Sequence, residues 1–502
     1  MPYVKGNLFM DKVEEQDNKI HSDLSFLKEL SKYSFESKMM ICQKYSSRIM
    51  SCSEVDMQLA LKENIMPWEL ETFAAFSVVY NDEDVDTIIN GEAFAKIITN
   101  IRNYWHPELS LAEEQGTYPN VFMMIAGLHE FPVQGLILQK LFRYNYFFTF
   151  SNDKIDMNQI LKENFETKYE DFSLFAFIVF LLMNSECRDR MSTDEAQRNL
   201  GKVFELNSVI KALSIDIDEY KRNLENLYKG KILDYYYGLK IQYWYPLISG
   251  AEFTYIPSPY LIINAVTESL LNRITLNNSK LRKIFGKEII ESYLYDLYCQ
   301  VSGITWISKE IEYGKSKNKT SDVLVGEGEF CTFYDTKALT PSLKIRQFDK
   351  VEIENETEIY AKAVIQVYQQ IVNYVDGKFK LEELYDKEHL FGVVVVLEDA
   401  LLPRHLIYNM AFEMWEKKGN NVSDEVKKYI QSHVKVVPLR QIEIMILQNA
   451  SFLPCLLEQV DKPELWNNYV LSKPTVYNGL IPLYEEYVTT LKQKAQDYLA
   501  TK

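Results

Sequence analysis

The spacing of apolar positions divides the chain into two regimes. Up to about residue 250 the period is helical. Across residues 23–46, Leu24 pairs with Leu27, Phe26 with Leu30 and Phe35 with Met39. Further helices are predicted from Pro67, where proline precedes WELETFAAFSVV, and over residues 85–105. Residues 120–150 read as two helices broken near Pro132. Ser192, three residues before Glu195, opens another as in a capping box, and residues 215–229 form a short amphipathic one. No repeat of fixed period runs through this half, which argues against a solenoid. Two proline-bearing aromatic stretches, residues 243–246 and 256–260, mark a connector. Their rings either pack a domain joint or stack on bases.

Beyond the connector the pattern changes. Helices are predicted at residues 260–276 and 280–300. Apolar and polar residues then alternate over 304–311, and strands follow at 323–325 and 329–334, the last continuing through Lys337. A helix over 355–375 ends at Asp376-Gly377. Residues 391–397, Phe-Gly-Val-Val-Val-Val-Leu, read as a strand buried on both faces. Helices at 401–418 and 423–432, a strand at 434–439 and a helix from 441 complete the series. The expected fold class is α+β and multidomain. Residues 1–250 form a helical region for regulation or docking, 251–450 an α/β domain with a mixed sheet flanked by helices, and 451–502 a helical extension.

Composition narrows the function. The 502 residues allow two or three domains, and 47% hydrophobic with 13% aromatic content excludes a disordered chain. A net charge of −16 argues against a broad basic nucleic-acid surface and makes the acidic helical half a candidate protein-docking region. The charge is uneven: residues 278–350 hold 12 Lys and Arg against 10 acids, either a local phosphate-binding surface or ordinary scatter. None of the six cysteines forms a CxxC pair or has zinc spacing, so reduced thiols and a cytoplasmic location are expected. The N-terminus has no signal-type apolar core, and the longest apolar run, residues 172–183, is too short for a bilayer. No membrane partner is expected. There is no GxxxxGK[ST] loop for an ATP-driven motor, and the six histidines are isolated.

Candidate chemistry is concentrated in residues 321–337, SDVLVGEGEFCTFYDTK. Two apolar runs flank a Gly-Glu-Gly turn. Asp322 opens the first, and Asp335 and Lys337 close the second. Residues two apart on a strand share a face, so Asp335 and Lys337 project together, and a hairpin returns Asp322 to the same end of the sheet. Two carboxylates and an ammonium at one place suit a divalent-metal site that cuts phosphodiesters. The bland alternative is a solvated ion pair at a strand end beside a turn acid. Acid-x-Lys tripeptides recur at Asp17, Glu166, Glu219 and Asp376, but none of these ends an apolar strand preceded by a second acid-bearing strand.

In this order, the helix with Glu291, Asp322, Asp335-Thr336-Lys337 and the glutamine helix AKAVIQVYQQIVNY resemble the PD-(D/E)XK nuclease superfamily over residues 280–440. Gln370-x-x-x-Tyr374 matches a pattern of some branches. The resemblance implies a restriction-endonuclease-like fold and a Mg²⁺-dependent endonuclease, with Mn²⁺ as a substitute, acting on DNA in preference to RNA. It also implies a role in bacterial defence against phage or other foreign DNA. Catalytic candidates are Asp322, Asp335, Lys337, Glu291 and Gln370. Asp322, Asp335, the Thr336 backbone carbonyl and Glu291 are the candidate metal ligands. Glu288 competes with Glu291, and Gln366 with Gln370. Lys315, Lys317, Lys319, Lys344, Arg346 and Tyr374 are candidate nucleic-acid contacts. A non-catalytic binding scaffold is the alternative.

Overall fold

A computed structural model of the chain describes residues 25–50, 57–82, 84–103, 136–183, 206–228, 241–250, 254–276, 278–341, 345, 350–400, 402–460 and 479–500. It divides into two interleaved compact units. The first comprises residues 1–141, 161–274 and 494–502, and the second 142–160 and 275–493. The boundary expected near 250 therefore moves to 274, and the second unit reaches back for a segment more than a hundred residues upstream. The proposed helix start at Ser192, the break at Pro132, and Lys344 and Arg346 lie outside the described residues.

The first unit is helical, as its periodicity predicts. Ser34 caps the helix Phe35–Arg48 by accepting from the Ser37 N–H, and Asn90 caps Gly91–Arg102 by accepting from the Ala93 N–H. Pro67 stands in the first turn of Pro67–Val79. A small sheet pairs Ser214–Asp216 parallel to Leu247–Ser249, and this strand antiparallel to Thr254–Tyr255. Glu71 is buried and accepts from the Tyr243 hydroxyl at 2.7 Å and the Tyr260 hydroxyl at 2.9 Å. Buried Glu268 pairs with Lys140 at 2.7 Å. Part of the acidic charge thus lies inside the unit. The connector aromatics pack rather than offer a stacking surface: Tyr243 holds Glu71, and Arg273 lies 4.6 Å above the Tyr245 ring.

The second unit is built on a five-stranded mixed sheet. Its helix α1 spans residues 279–298, as Ser279–Ile284, a π-helical stretch Phe285–Ile290, and Glu291–Tyr298. Strands β1 (Trp306–Lys309), β2 (Val323–Glu327) and β3 (Phe330–Lys337) follow, then α2 (Lys350–Val375) and β4 (Leu390–Val396). Next come α3 (Arg404–Lys417), α4 (Asp424–His433), β5 (Val434–Pro438) and α5 (Leu439–Ile446). The sheet order is β5-β4-β3-β2-β1. β1, β2 and β3 form an antiparallel meander, whereas β3, β4 and β5 run parallel. Gly328, at φ +58°, makes the β2–β3 turn in a conformation that favours glycine.

All seven residues of β4 are buried, as an unbroken apolar run requires. Helix α2 packs on β3, β4 and β5, α3 packs on α2, and α1 packs on β1, β2 and β3. At Gly392 in β4 an added Cβ would stand 2.4 Å from Val367 Cγ1 of α2, so glycine sets the closeness of helix and sheet. Arg143, fully buried, donates to both carboxylate oxygens of Glu443 at 2.7 and 2.8 Å and to Glu398 at 3.0 Å. Tyr293 of α1 donates to the same Glu443 at 2.8 Å. This network joins the upstream segment to α1, to the end of β4 and to α5. Among the described residues no helix is long and apolar enough to cross a membrane.

Candidate active site

The β2–β3 register fixes the two aspartates. Val323 pairs with Tyr334, so one step past the ladder Asp322 stands opposite Asp335. Asp322 Oδ2 accepts from the Thr336 N–H at 2.6 Å and from its hydroxyl at 2.9 Å. Both bonds fall on one oxygen, so the other carboxylate oxygen of Asp322 is the one left to a cation. Thr336 also pairs with Val395 of β4, which fixes its backbone from the other side. Asp335 is 2% exposed. Its Oδ2 forms an ion pair with Lys337 Nζ at 2.5 Å but receives no hydrogen bond of good geometry among the described residues. Lys337 is half-buried at the same sheet end, as the period of two requires.

Helix α1 supplies the third acid. Desolvation, then the Asp322 charge, raises Glu291 to about 8. The π-helical stretch just ahead of Glu291 rotates everything after it relative to a regular helix, by about 100° for one extra residue. Glu288 points elsewhere: it accepts from Lys154 at 2.8 Å and Asn152 at 3.2 Å. Arg282 anchors α1 to the chain leaving β3, donating to the Ala338 carbonyl at 3.1 Å and the Thr340 hydroxyl at 2.9 Å. A Cβ on Gly286 would lie 3.1 Å from the Ala338 side chain, so this approach is close.

The glutamines of α2 separate in the same way. Gln366 donates to Asp335 Oδ1 at 3.4 Å, whereas the Gln370 carbonyl accepts from the Tyr313 hydroxyl at 3.0 Å. Tyr313 belongs to a ribbon of Glu312–Tyr313 with Asn318–Lys319, whose tip exposes Lys315 and Lys317. Lys319 is paired with Glu310. The proposed contact role of Tyr374 is corrected: the residue is 8% exposed, packs beside Phe379, and its hydroxyl accepts from the Tyr385 N–H at 2.9 Å. Its period places it on the core face of α2.

Burial, and next the Asp335 charge, raises Asp322 to about 7, while Thr336 and Lys337 pull it down. Burial also raises Asp335, opposed by Lys337. Asp322 and Asp335 thus face each other in a desolvated place beside the Lys337 ammonium, with Glu291 near enough to feel the Asp322 charge, an arrangement that costs energy until a cation or protons enter. Among the described residues no three His, Cys, Asp or Glu side chains form a group that could hold a metal ion. Mg²⁺ needs no such group of three, because it takes one or two carboxylates and completes its shell with water and phosphate oxygens. The all-oxygen donor set fits a hard cation of that kind. Sequence reasoning missed the Thr336 grip on Asp322 and the Arg282 anchor. The first had a local signal in a hydroxyl residue between the acid and the lysine. Comparison with protein-family models, with curated proteins and with solved structures returned no match for this chain.

Proposed function

We propose that the chain is a Mg²⁺-dependent nuclease that hydrolyses phosphodiester bonds, with DNA the preferred substrate, and that its second unit is a restriction-endonuclease-like domain. One observation carries this reading. An acid entering β2 stands opposite an acid-x-Lys at the end of β3, and a helical glutamate shares the same electrostatic pocket. The element order, helix, three antiparallel strands, helix and parallel strand, agrees with it.

Asp322, Asp335 and the Thr336 carbonyl would hold Mg²⁺ or Mn²⁺, and Glu291 would join them through water. The ion supplies charge neutralisation at phosphorus and acidifies water. The remaining work belongs to side chains. The Thr336 N–H and hydroxyl fix Asp322 so that one oxygen faces the site. Lys337 has two anions within its reach, Asp335 and an incoming phosphate. As charge grows on the phosphate, the ammonium is drawn towards it, and this preference lowers the barrier. Gln366, already at Asp335 Oδ1, can donate to a phosphate oxygen or orient water.

Incubation with plasmid and single-stranded substrates in Mg²⁺, Mn²⁺ or EDTA tests the reading. Metal-dependent cutting that D335A and K337A both abolish is expected. Cutting that persists in both variants removes these residues from the chemistry. The Lys337–Asp335 ion pair and the open donor set also suit a binding-only scaffold. That alternative is favoured if the wild type binds nucleic acid and never cuts.

A further inference from the structure

A groove of about 700 Å³ lies between α2 and the end of α3, lined by Lys362, Gln366, Gln369 and Gln370 with Lys417 and Lys418. It is not an isolated cavity. Gln366 lines it and also donates to Asp335, so one side chain links the groove to the candidate active site. Gln370 lines it and also accepts from Tyr313, which ties the lysine-tipped ribbon to the same helix.

The lining is selective in its chemistry. Glu358, the acid of the groove, is held by Lys362 at 2.5 Å. Lys417 and Lys418 stay exposed, and the Lys417–Glu413 contact is a loose surface pair at 3.9 Å. On a chain of net charge −16, two exposed ammonium groups thus stand at the rim of a floor made of three amide side chains with Ile365 and Met414. Ammonium groups at a rim suit phosphates, and glutamine amides pair with the edges of bases. A concave floor accepts bases that are unpaired and turned out, whereas a duplex keeps its bases stacked inside a convex surface.

We propose that this groove binds a single-stranded nucleic-acid segment flanking the scissile phosphate, with Lys417 and Lys418 on its phosphates and Gln369 and Gln370 on its bases. The proposal extends the nuclease reading and rests on it for the position of the cut. It makes the preferred substrate a single strand or a duplex end that has opened.

The test is fluorescence anisotropy of the full chain in EDTA, with a labelled 20-nucleotide DNA strand, the same sequence as RNA, and the DNA duplex. Each is measured across a salt series. Tighter binding of a single strand than of the duplex is expected. The K417E/K418E variant should weaken single-strand binding at least tenfold and flatten its salt slope by about 1.4, since each phosphate contact on a single strand contributes about 0.7. The control K427E/K428E carries the same charge change on α4 and should leave the slope unchanged. Cleavage by K417E/K418E in Mg²⁺ should show a raised KM with kcat retained. Equal weakening by both double variants, preference for the duplex, or no binding by the wild type overturns the proposal. If the groove variant loses binding but the wild type never cuts, the groove stands and the nuclease reading fails. If the wild type cuts and the groove variant keeps its KM, the groove alone fails. The DNA and RNA arms decide which backbone it takes.

Discussion

Asp322→Asn separates stability from activity at the candidate site. In the folded chain Asp322 is raised to about 7 from an ordinary 3.8 by burial and by Asp335. Its folded value lies above its unfolded one, so between about pH 4 and 7 the native state retains a proton that the unfolded state has released. Stability from this group is therefore full below pH 4 and is lost as pH rises through 7. At pH 8 a shift of about three units corresponds to about 4 kcal/mol at most, and to about 2 kcal/mol if the pocket relaxes around the charge. Asparagine removes the charge and keeps a carbonyl oxygen for the Thr336 N–H and hydroxyl, now at 2.6 and 2.9 Å. At about 2–4 °C per kcal/mol, D322N should raise Tm by about 4–16 °C at pH 8 in EDTA. The gain should shrink as pH approaches 4, while Mg²⁺-dependent cleavage disappears. Saturating Mg²⁺ should stabilise the wild type, by about 2.7 kcal/mol at a hundred times Kd, and leave the variant unmoved. Circular dichroism melts at two pH values suffice. A Tm at pH 8 equal to or below the wild type, or a gain independent of pH, refutes the account of a charge-strained pocket.

Other outcomes follow from the same geometry. Cleavage should rise with pH between about 6 and 8, because Asp322 near 7 and Glu291 near 8 must lose protons; a rate that falls over this range in single-turnover assays contradicts their role. R143M should destabilise by about 3–5 kcal/mol in denaturant melts, because Glu398 and Glu443 are left buried without their cation; a shift below 1 kcal/mol would show that the network relaxes freely. G392A should cost about 1–3 kcal/mol through overpacking against Val367 and lower cleavage by displacing the helix that carries Gln366; wild-type stability and rate would show that α2 is not held there.

What the sequence disclosed depended on the range of each signal. The face shared by Asp335 and Lys337 follows from a two-residue period, and the burial of β4 from an uninterrupted apolar run, so both were legible. Helix facing was less so. Gln366 and Gln370 lie one turn apart, and only the packing of α2 on β3 and the hydroxyl of Tyr313 separates them. Glu288 and Glu291 are divided by a π-helical stretch that apolar spacing does not announce. Tyr374 has a polar tip and an apolar ring, and the Tyr385 N–H decided in favour of the core. The unit boundary left no local trace: Arg143 is one of two cations in an aromatic helix, and its meaning lies in partners 255 and 300 residues away.

That separation sets a timetable for biosynthesis. A chain emerges from the ribosome N-terminus first, and Arg143 leaves the tunnel long before Glu398 and Glu443 exist. Asp322, Asp335 and Lys337 are also made before β4 and β5, the strands that complete the parallel half of their sheet. The first unit, in turn, waits for residues 494–502. Neither unit can close before its last segment is made, so the groups proposed to cut nucleic acid stay unassembled among the ribosome's own RNA while β4 and β5 are still to be synthesised.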